Sequence, residues 1–342
     1  MAINGVFSSS KELSVGVGLD ASTVGNPYAA GSTWTHIETD SVTLPTFNDL
    51  RVERRGGASS GIMTSTGDHF VYNTGNVIEG TVSGYLTDEL HAILVPAVTG
   101  VAISSSAYTI NGTSTANHTF EHGDSSALNN TLTFGYNGVS GSGFKDCISI
   151  PGCVVTSLTM SADPNEDGGR MKFEASWTSR TPVAAGAYSE TVRNMGTYSA
   201  NYVFLGDYDV HSQVGDEDVL LKSLSLTIEN PVVFGGFGGN GTDGAPMTYV
   251  RSVPNFVVTA NPVIKYDTNV DTLWDLHRAA TTLSSPAFEI SDHAVPASGD
   301  RAFSITDGII TDMAWDEGDY LGVNLTIKGT GDTSTSLYIR HA

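Results

Sequence analysis

Val154–Thr178 reads VVTSLTMSADPNEDGGRMKFEASWT. Val154, Leu158 and Met160 fall on one face of a period-two pattern, with Ser157, Thr159 and Ser161 on the other. Past a cluster of Asp, Pro, Asn and Gly, the pattern resumes. Met171, Phe173, Ala175 and Trp177 now alternate with Arg170, Lys172, Glu174 and Ser176. Strict alternation on both sides of a turn-forming cluster predicts a β-hairpin. One face is apolar and the other wet, so the hairpin belongs in a sheet covered on its apolar side.

The same grammar extends through the chain. Ile309–Lys328 predicts a second hairpin, in which Leu321, Val323, Leu325 and Ile327 alternate after an Asp/Glu/Gly turn. Leu86–Leu94 predicts a helix with Leu86, Leu90, Ile93 and Leu94 on one face, started by Thr87 or Asp88 and closed by Pro96. Val270–Ala280 predicts a second helix. Strands are expected over Ser41–Arg51, where Pro45 marks an edge or a bend, over His69–Tyr72 and Asn76–Gly84, over Val219–Ile228 and over Asn255–Tyr266. Arg54–Gly61 and Phe234–Pro246 read as glycine-rich loops. The order strand, Gly loop, strands, helix, strands, hairpin thus occurs twice. This points to a duplicated β domain, with boundaries at 1–190 (including an N-terminal arm) and 191–342.

Composition agrees with a β-rich, turn-rich chain. Charged residues are 15% against a usual quarter, and glycines number 38 in 342 residues. The formal net charge of -21 argues against a surface that grips phosphate, which needs clustered Lys and Arg. The one basic cluster, Arg51–Arg55, fits an acidic protein neighbour better than a nucleic acid. Cys147 and Cys153 form no CxxC pair, and small buried side chains are expected. The opening segment has no apolar run of a secretory leader, and no stretch of about 18 apolar residues predicts a membrane helix.

Three motif matches have the wrong surroundings. Asp163, Asn165, Asp167 and Glu174 satisfy the calcium-loop spacing, yet strands rather than helices flank them, and a plain hairpin turn is the better reading. Gly236–Gly241 matches G-x-G-x-x-G without a following helix. His118 and His122 share a strand face but stand about 13 Å apart, too far for one metal. No nucleophile elbow, zinc-protease or Walker signature is present. The sequence therefore offers no catalytic residue, and no cofactor is expected.

Three blocks, FNDLRVERRGGASSGI (47–62), GYLTDELHAIL (84–94) and PGCVVTSLTMSADPNEDGGRMKFEASWTSRTP (151–182), occur in that order. Together they resemble the tail tube proteins, or major tail proteins, of long-tailed bacteriophages. The resemblance covers most of residues 10–190, with a looser version over 215–330. It implies an all-β fold with minor α: two similar tail-tube-like β-sandwich or barrel domains, each with one flanking helix. It further implies that subunits join sheets edge to edge into rings, forming an inter-subunit β-barrel tube that carries viral DNA during ejection. Such closure would satisfy strand edges that are otherwise an aggregation hazard. A lumen wide enough for double-stranded DNA needs roughly 24 strands. With four strands per domain, a duplicated chain would close as a trimeric pseudo-hexameric ring; the alternative is a hexameric ring.

The resemblance also implies roles for particular positions. Inter-subunit or inter-ring loops would include Arg51, Arg54, Arg55, Gly56, Gly57, Gly236, Gly238 and Gly239. Lumen-facing candidates are Arg170, Lys172 and Glu174, a set that is not simply acidic. Expected partners are sister copies, a tape measure protein, and DNA held without sequence-specific binding, with no membrane partner. The expected location is the virion tail, after assembly in the bacterial cytoplasm. The competing function is a carbohydrate- or receptor-binding β protein of a tail tip or surface adhesin.

Overall fold

The computed structural model describes residues 13–21, 28, 33–39, 42–55, 69–101, 108–111, 118–121, 131–137, 147–179, 188–189, 195, 197, 199–208, 211–237, 247–251, 256–292, 301–317, 321–330 and 337–341. In chain order the strands begin with β1 (Ser14–Leu19), β2 (Thr35–Ile37), β3 (Thr46–Arg55) and β4 (His69–Tyr85), followed by helix α1 (Asp88–Thr99). Next come β5 (Tyr108–Asn111), β6 (His118–Glu121), β7 (Leu132–Asn137), β8 (Cys147–Ala162), β9 (Lys172–Ser179) and β10 (Tyr188–Ser189). Then β11 (His211–Val214), β12 (Glu217–Asp218), β13 (Leu221–Glu229), β14 (Val232–Phe237), β15 (Met247–Arg251) and β16 (Val257–Lys265) lead into α2 (Asn269–Arg278). β17 (Leu283–Ser291), β18 (Ala302–Glu317), β19 (Leu321–Gly329) and β20 (Tyr338–His341) follow. The fold is all-β with minor α.

Antiparallel pairing builds one continuous run of eight strands, β3-β4-β9-β8-β13-β16-β19-β18. The middle seam joins β8 to β13 through six residue pairs, from Ser157 opposite Glu229 to Ala162 opposite Leu224. The apolar face of this run is buried. It carries Leu158 and Met160 on β8, Phe173, Ala175 and Trp177 on β9, Leu224, Leu226 and Ile228 on β13, and Val323, Leu325 and Ile327 on β19.

β8 belongs to two layers. Its first half pairs with β7, which in turn pairs with β1, and its second half lies in the eight-strand run. The change of partner falls near Gly152, whose φ of 65° suits glycine. The buried Asp20 carboxylate fixes this corner by accepting from Gly152 N at 3.0 Å and Thr133 Oγ1 at 2.6 Å. Between the layers Phe134 of β7 stacks on Trp177 of β9, ring centroids 5.1 Å apart. The Trp177 indole also covers Gly80, where an added Cβ would lie 2.4 Å from its ring.

Helix α1 packs against β8 and reaches β13. Thr87 caps it by accepting from Leu90 N, and Asp88 and Glu89 suit its positive N-terminal end. Pro96 does not close the helix as the sequence suggested. It lies inside, and the helix runs on to Gly100, whose left-handed backbone lets its N–H bond Pro96 O at 2.9 Å. Apolar residues beyond Pro96, namely Ala97 and Val98, are buried and favour the extra turn. Asn230, just past β13, donates to Val98 O at 2.8 Å and ties the last turn of α1 across the seam. At the other end Arg301 bonds Asp88 and Asp207, each at 2.7 Å.

Several further expectations shift. His69–Tyr72 and Asn76–Gly84 are one strand, β4. Arg51, Arg54 and Arg55 stand in β3, with Arg54 opposite Phe70 and Arg55 opposite His69, so the loop begins later than predicted. Gly236 is likewise paired, opposite Thr248, within β14. Gly56, Gly57, Gly238, Gly239, Gly241 and His122 lie outside the described residues. In β8 a bulge at Thr156 moves Val155, opposite Trp177, onto the face of Leu158; Val154 is buried on the opposite side.

Gly80→Val should force Trp177 off its stack with Phe134 and cost about 1–3 kcal/mol, as overpacking does; thermal unfolding with near-UV circular dichroism measures it. Arg301→Ala leaves two part-buried carboxylates without their shared donor and should cost about 1–3 kcal/mol, read from denaturant midpoints at constant m.

Candidate functional site

The wet face of the eight-strand run is a continuous polar surface built by the described strands. Its side chains are short and neutral for the most part: Ser157, Thr159 and Ser161 on β8, Ser176 and Thr178 on β9, Ser225 and Thr227 on β13. At the seam, Thr159 Oγ1 and Thr227 Oγ1 lie 3.2 Å apart and share a hydrogen bond. Among the side chains described on this face, the carboxylates Glu79, Glu174, Glu229, Asp312 and Asp316 stand with the ammonium groups of Lys172, Lys222, Lys265 and Lys328. A chain of net charge -21 therefore keeps its excess acid off this surface. Lys222 reaches over Gly322 to bond Asp316.

Lys172 and Glu174 lie on this face, as expected, opposite Tyr85 and Ser83 of β4. Arg170 precedes β9 and is drawn aside. Its guanidinium sits 4.2 Å above the Tyr85 ring and 5.1 Å from that of Tyr202, a cation–π arrangement. The Tyr202 hydroxyl bonds Glu38. Sequence reasoning missed Tyr85, Tyr202 and Glu38, because their contacts with the hairpin turn are long-range and follow no period.

Two of the turn's acids are held by hydrogen bonds from neighbouring groups. Asp163 Oδ1 accepts from Asn165 N at 2.8 Å, a local turn bond. Asp167 pairs with Lys172 Nζ at 2.8 Å and accepts from the Tyr85 hydroxyl at 3.0 Å. Of the remaining calcium-loop residues, Glu174 lies along β9 opposite Thr159, with strands on both sides of the turn. No group of three or more His, Cys, Asp and Glu side chains that could hold a metal ion occurs among the described residues. Asp167 φ is 50°, and Gly168 and Gly169 are also left-handed, so local backbone geometry sets the turn. The hydrogen bond from Lys172, and then that from Tyr85, hold the Asp167 carboxyl below the usual range; the same bond raises Lys172.

The buried thiol of Cys153 donates to Ile150 O at 3.1 Å, and burial raises its pKa well above the ordinary value, as suits a packed side chain. His91 is buried in α1, and His277 of α2 contacts Ile310 O at 3.0 Å through Nδ1. On the apolar side of β18, Trp315 meets Trp274 and Tyr266, with centroids 5.7 Å and 5.4 Å away. Trp315 is nonetheless 49% exposed. Among the described residues no helix is long and apolar enough to cross a membrane. No family model matches this chain, and no curated protein matches it.

Lys172→Ala should move the Asp167 titration upward, toward an ordinary aspartate, in carboxyl-detected NMR. A carboxyl held low contributes stability above the ordinary Asp range and loses it as pH falls through its folded value. The turn's contribution should therefore fade on acidification in the native chain and be smaller in the variant, where the Tyr85 hydroxyl still donates to Asp167; an unmoved Asp167 midpoint contradicts the assignment.

Proposed function

We propose that this chain is a structural subunit that polymerises into a hollow tube, with the wet face of its eight-strand run toward the lumen. The observation that carries the reading is the seam between β8 and β13. There, two blocks of like order, β3-β4-β9-β8 and β13-β16-β19-β18, join edge to edge inside one chain. Each block has its helix following its second strand, α1 after β4 and α2 after β16. Domain boundaries at 1–190 and 191–342 fit this duplication. Three copies would supply the roughly 24 strands that a DNA-wide barrel needs, giving a trimeric, pseudo-hexameric ring.

A face of hydroxyls, with carboxylates and ammonium groups nearly balanced, suits a channel for DNA. Phosphate adhesion needs clustered cations that release counterions. Here Lys172 and Lys222 are neutralised by Asp167 and Asp316. A polyanion such as double-stranded DNA would meet a wet, weakly charged wall and pass without sequence-specific contact. The long β3-β4 hairpin and the β14-β15 hairpin would reach toward adjacent rings. The place of action would be the virion tail, and no chemistry is required of the subunit.

The exposed Trp315, with Trp274 and Tyr266, favours one competitor, a glycan- or receptor-binding β protein, because aromatic platforms suit sugar faces. Negative-stain microscopy and native mass measurement of the purified protein separate the two. Tubes or rings of three chains are expected. Six chains per ring would remove the trimer, and a monomer that binds glycans and never assembles would remove the tube.

A further inference from the structure

Among the described residues, neither border of the eight-strand run has a second partner strand. Among the described residues β3 pairs only with β4, and β18 beyond Gly308 pairs only with β19. Unpaired strand edges are templates for another strand. The chain contains its own example of how such edges meet, in the seam between β8 and β13.

The two blocks can be aligned residue by residue from irregularities in their ladders. β8 carries a bulge at Thr156, whose hydroxyl donates to Ser176 O at 3.2 Å. β18 carries a bulge at Thr311, whose hydroxyl donates to Thr326 O at 3.1 Å. Just before each bulge, Val155 faces Trp177 and Ile310 faces Ile327. Aligning the bulges places Thr159 on Ala314 and Met160 on Trp315. The other border follows by the same route. Gly80 lies opposite Trp177 and Ala260 opposite Ile327, so Glu79 corresponds to Thr259. Thr46 faces Glu79 and Thr227 faces Thr259, so Thr46 corresponds to Thr227.

We propose that the free side of β18 takes the β3 border of a second copy of this chain in the register of the internal seam, with Ala314 of one copy opposite Thr46 of the next and Asp312 opposite Asn48. The inference rests on the tube reading for its partner, and on the matched bulges for its register. Pro45 has no N–H to give, so the ladder starts at Thr46.

Burial supports the same assignment. Met160, beside the internal seam, is 2% exposed, whereas its counterpart Trp315 is 49% exposed. A neighbour docked in this register lays Pro45 opposite Trp315 and covers the indole as β13 covers Met160. The exposed aromatic cluster is then an unfinished core, completed by a sister copy.

Cysteine pairs test the register. Thr159→Cys with Thr227→Cys, whose native hydroxyls touch, should close within one chain and calibrate the geometry. Thr46→Cys with Ala314→Cys cannot close within a chain, because the two borders are seven strand spacings of roughly 4.8 Å apart. Under mild oxidation of concentrated full-length protein, this pair should give a covalent ladder that ends at three chains. The shifted pair, Thr46→Cys with Asp312→Cys, should give none. A ladder from the shifted pair, with rings visible by microscopy, overturns the register and leaves the tube standing. A ladder running to six keeps the register and overturns the three-chain ring. A monomer with no ladder from either pair and no assemblies at any concentration overturns both.

Discussion

Backbone hydrogen bonding along the second half of β8 is the constraint on which the rest of the molecule depends. A strand inside a sheet must satisfy its N–H and C=O groups on both sides, and unsatisfied buried groups are costly. β8 finds β9 on one side and β13 on the other, with residues 180–220 of the chain between the two partners. Everything that holds this seam comes from far apart in sequence. α1 lies across it, Asn230 ties the end of that helix, and Arg301 grips its start. The seam makes a single sheet out of two blocks, and the apolar faces beneath it merge into one core.

Local alternation made much of this legible. The two hairpins, their buried faces and both helices were visible because side-chain direction along a strand or helix follows a fixed period. What escaped was of three kinds. The bulge at Thr156 adds a residue without changing composition, so the face of Val154 and Val155 could not be read correctly. The passage of α1 through Pro96 was hidden by a breaker whose cost was offset by Ala97 and Val98 in the core. The pairing of β8 with β13, and the contacts of Arg170 with Tyr85 and Tyr202, are long-range and carry no short-range signature. Within the candidate surface, Lys172 and Glu174 could be assigned from the hairpin alone. The balance of charge across the whole face could not, since it depends on which strands are neighbours.

That balance gives meaning to the overall acidity. An excess of carboxylates keeps proteins soluble and apart. Here the organised polar face is nearly neutral, so the excess lies elsewhere on the surface or in the loops. Solubility and the character of the polar face are thus set by different residues of one sequence, and either can change without the other.

The paired bulges at Thr156 and Thr311 have a geometric consequence. A bulge bends its strand and sharpens the local twist. The two hold equivalent places on strands four apart in the run but are staggered along the sheet: the row through Ile310 runs by Ile327, Ala260 and Leu226 to Met160, five residues past Val155. Each block therefore bends its strand at its own equivalent point, and the stagger sets the two bends along a diagonal of the sheet instead of a single crease.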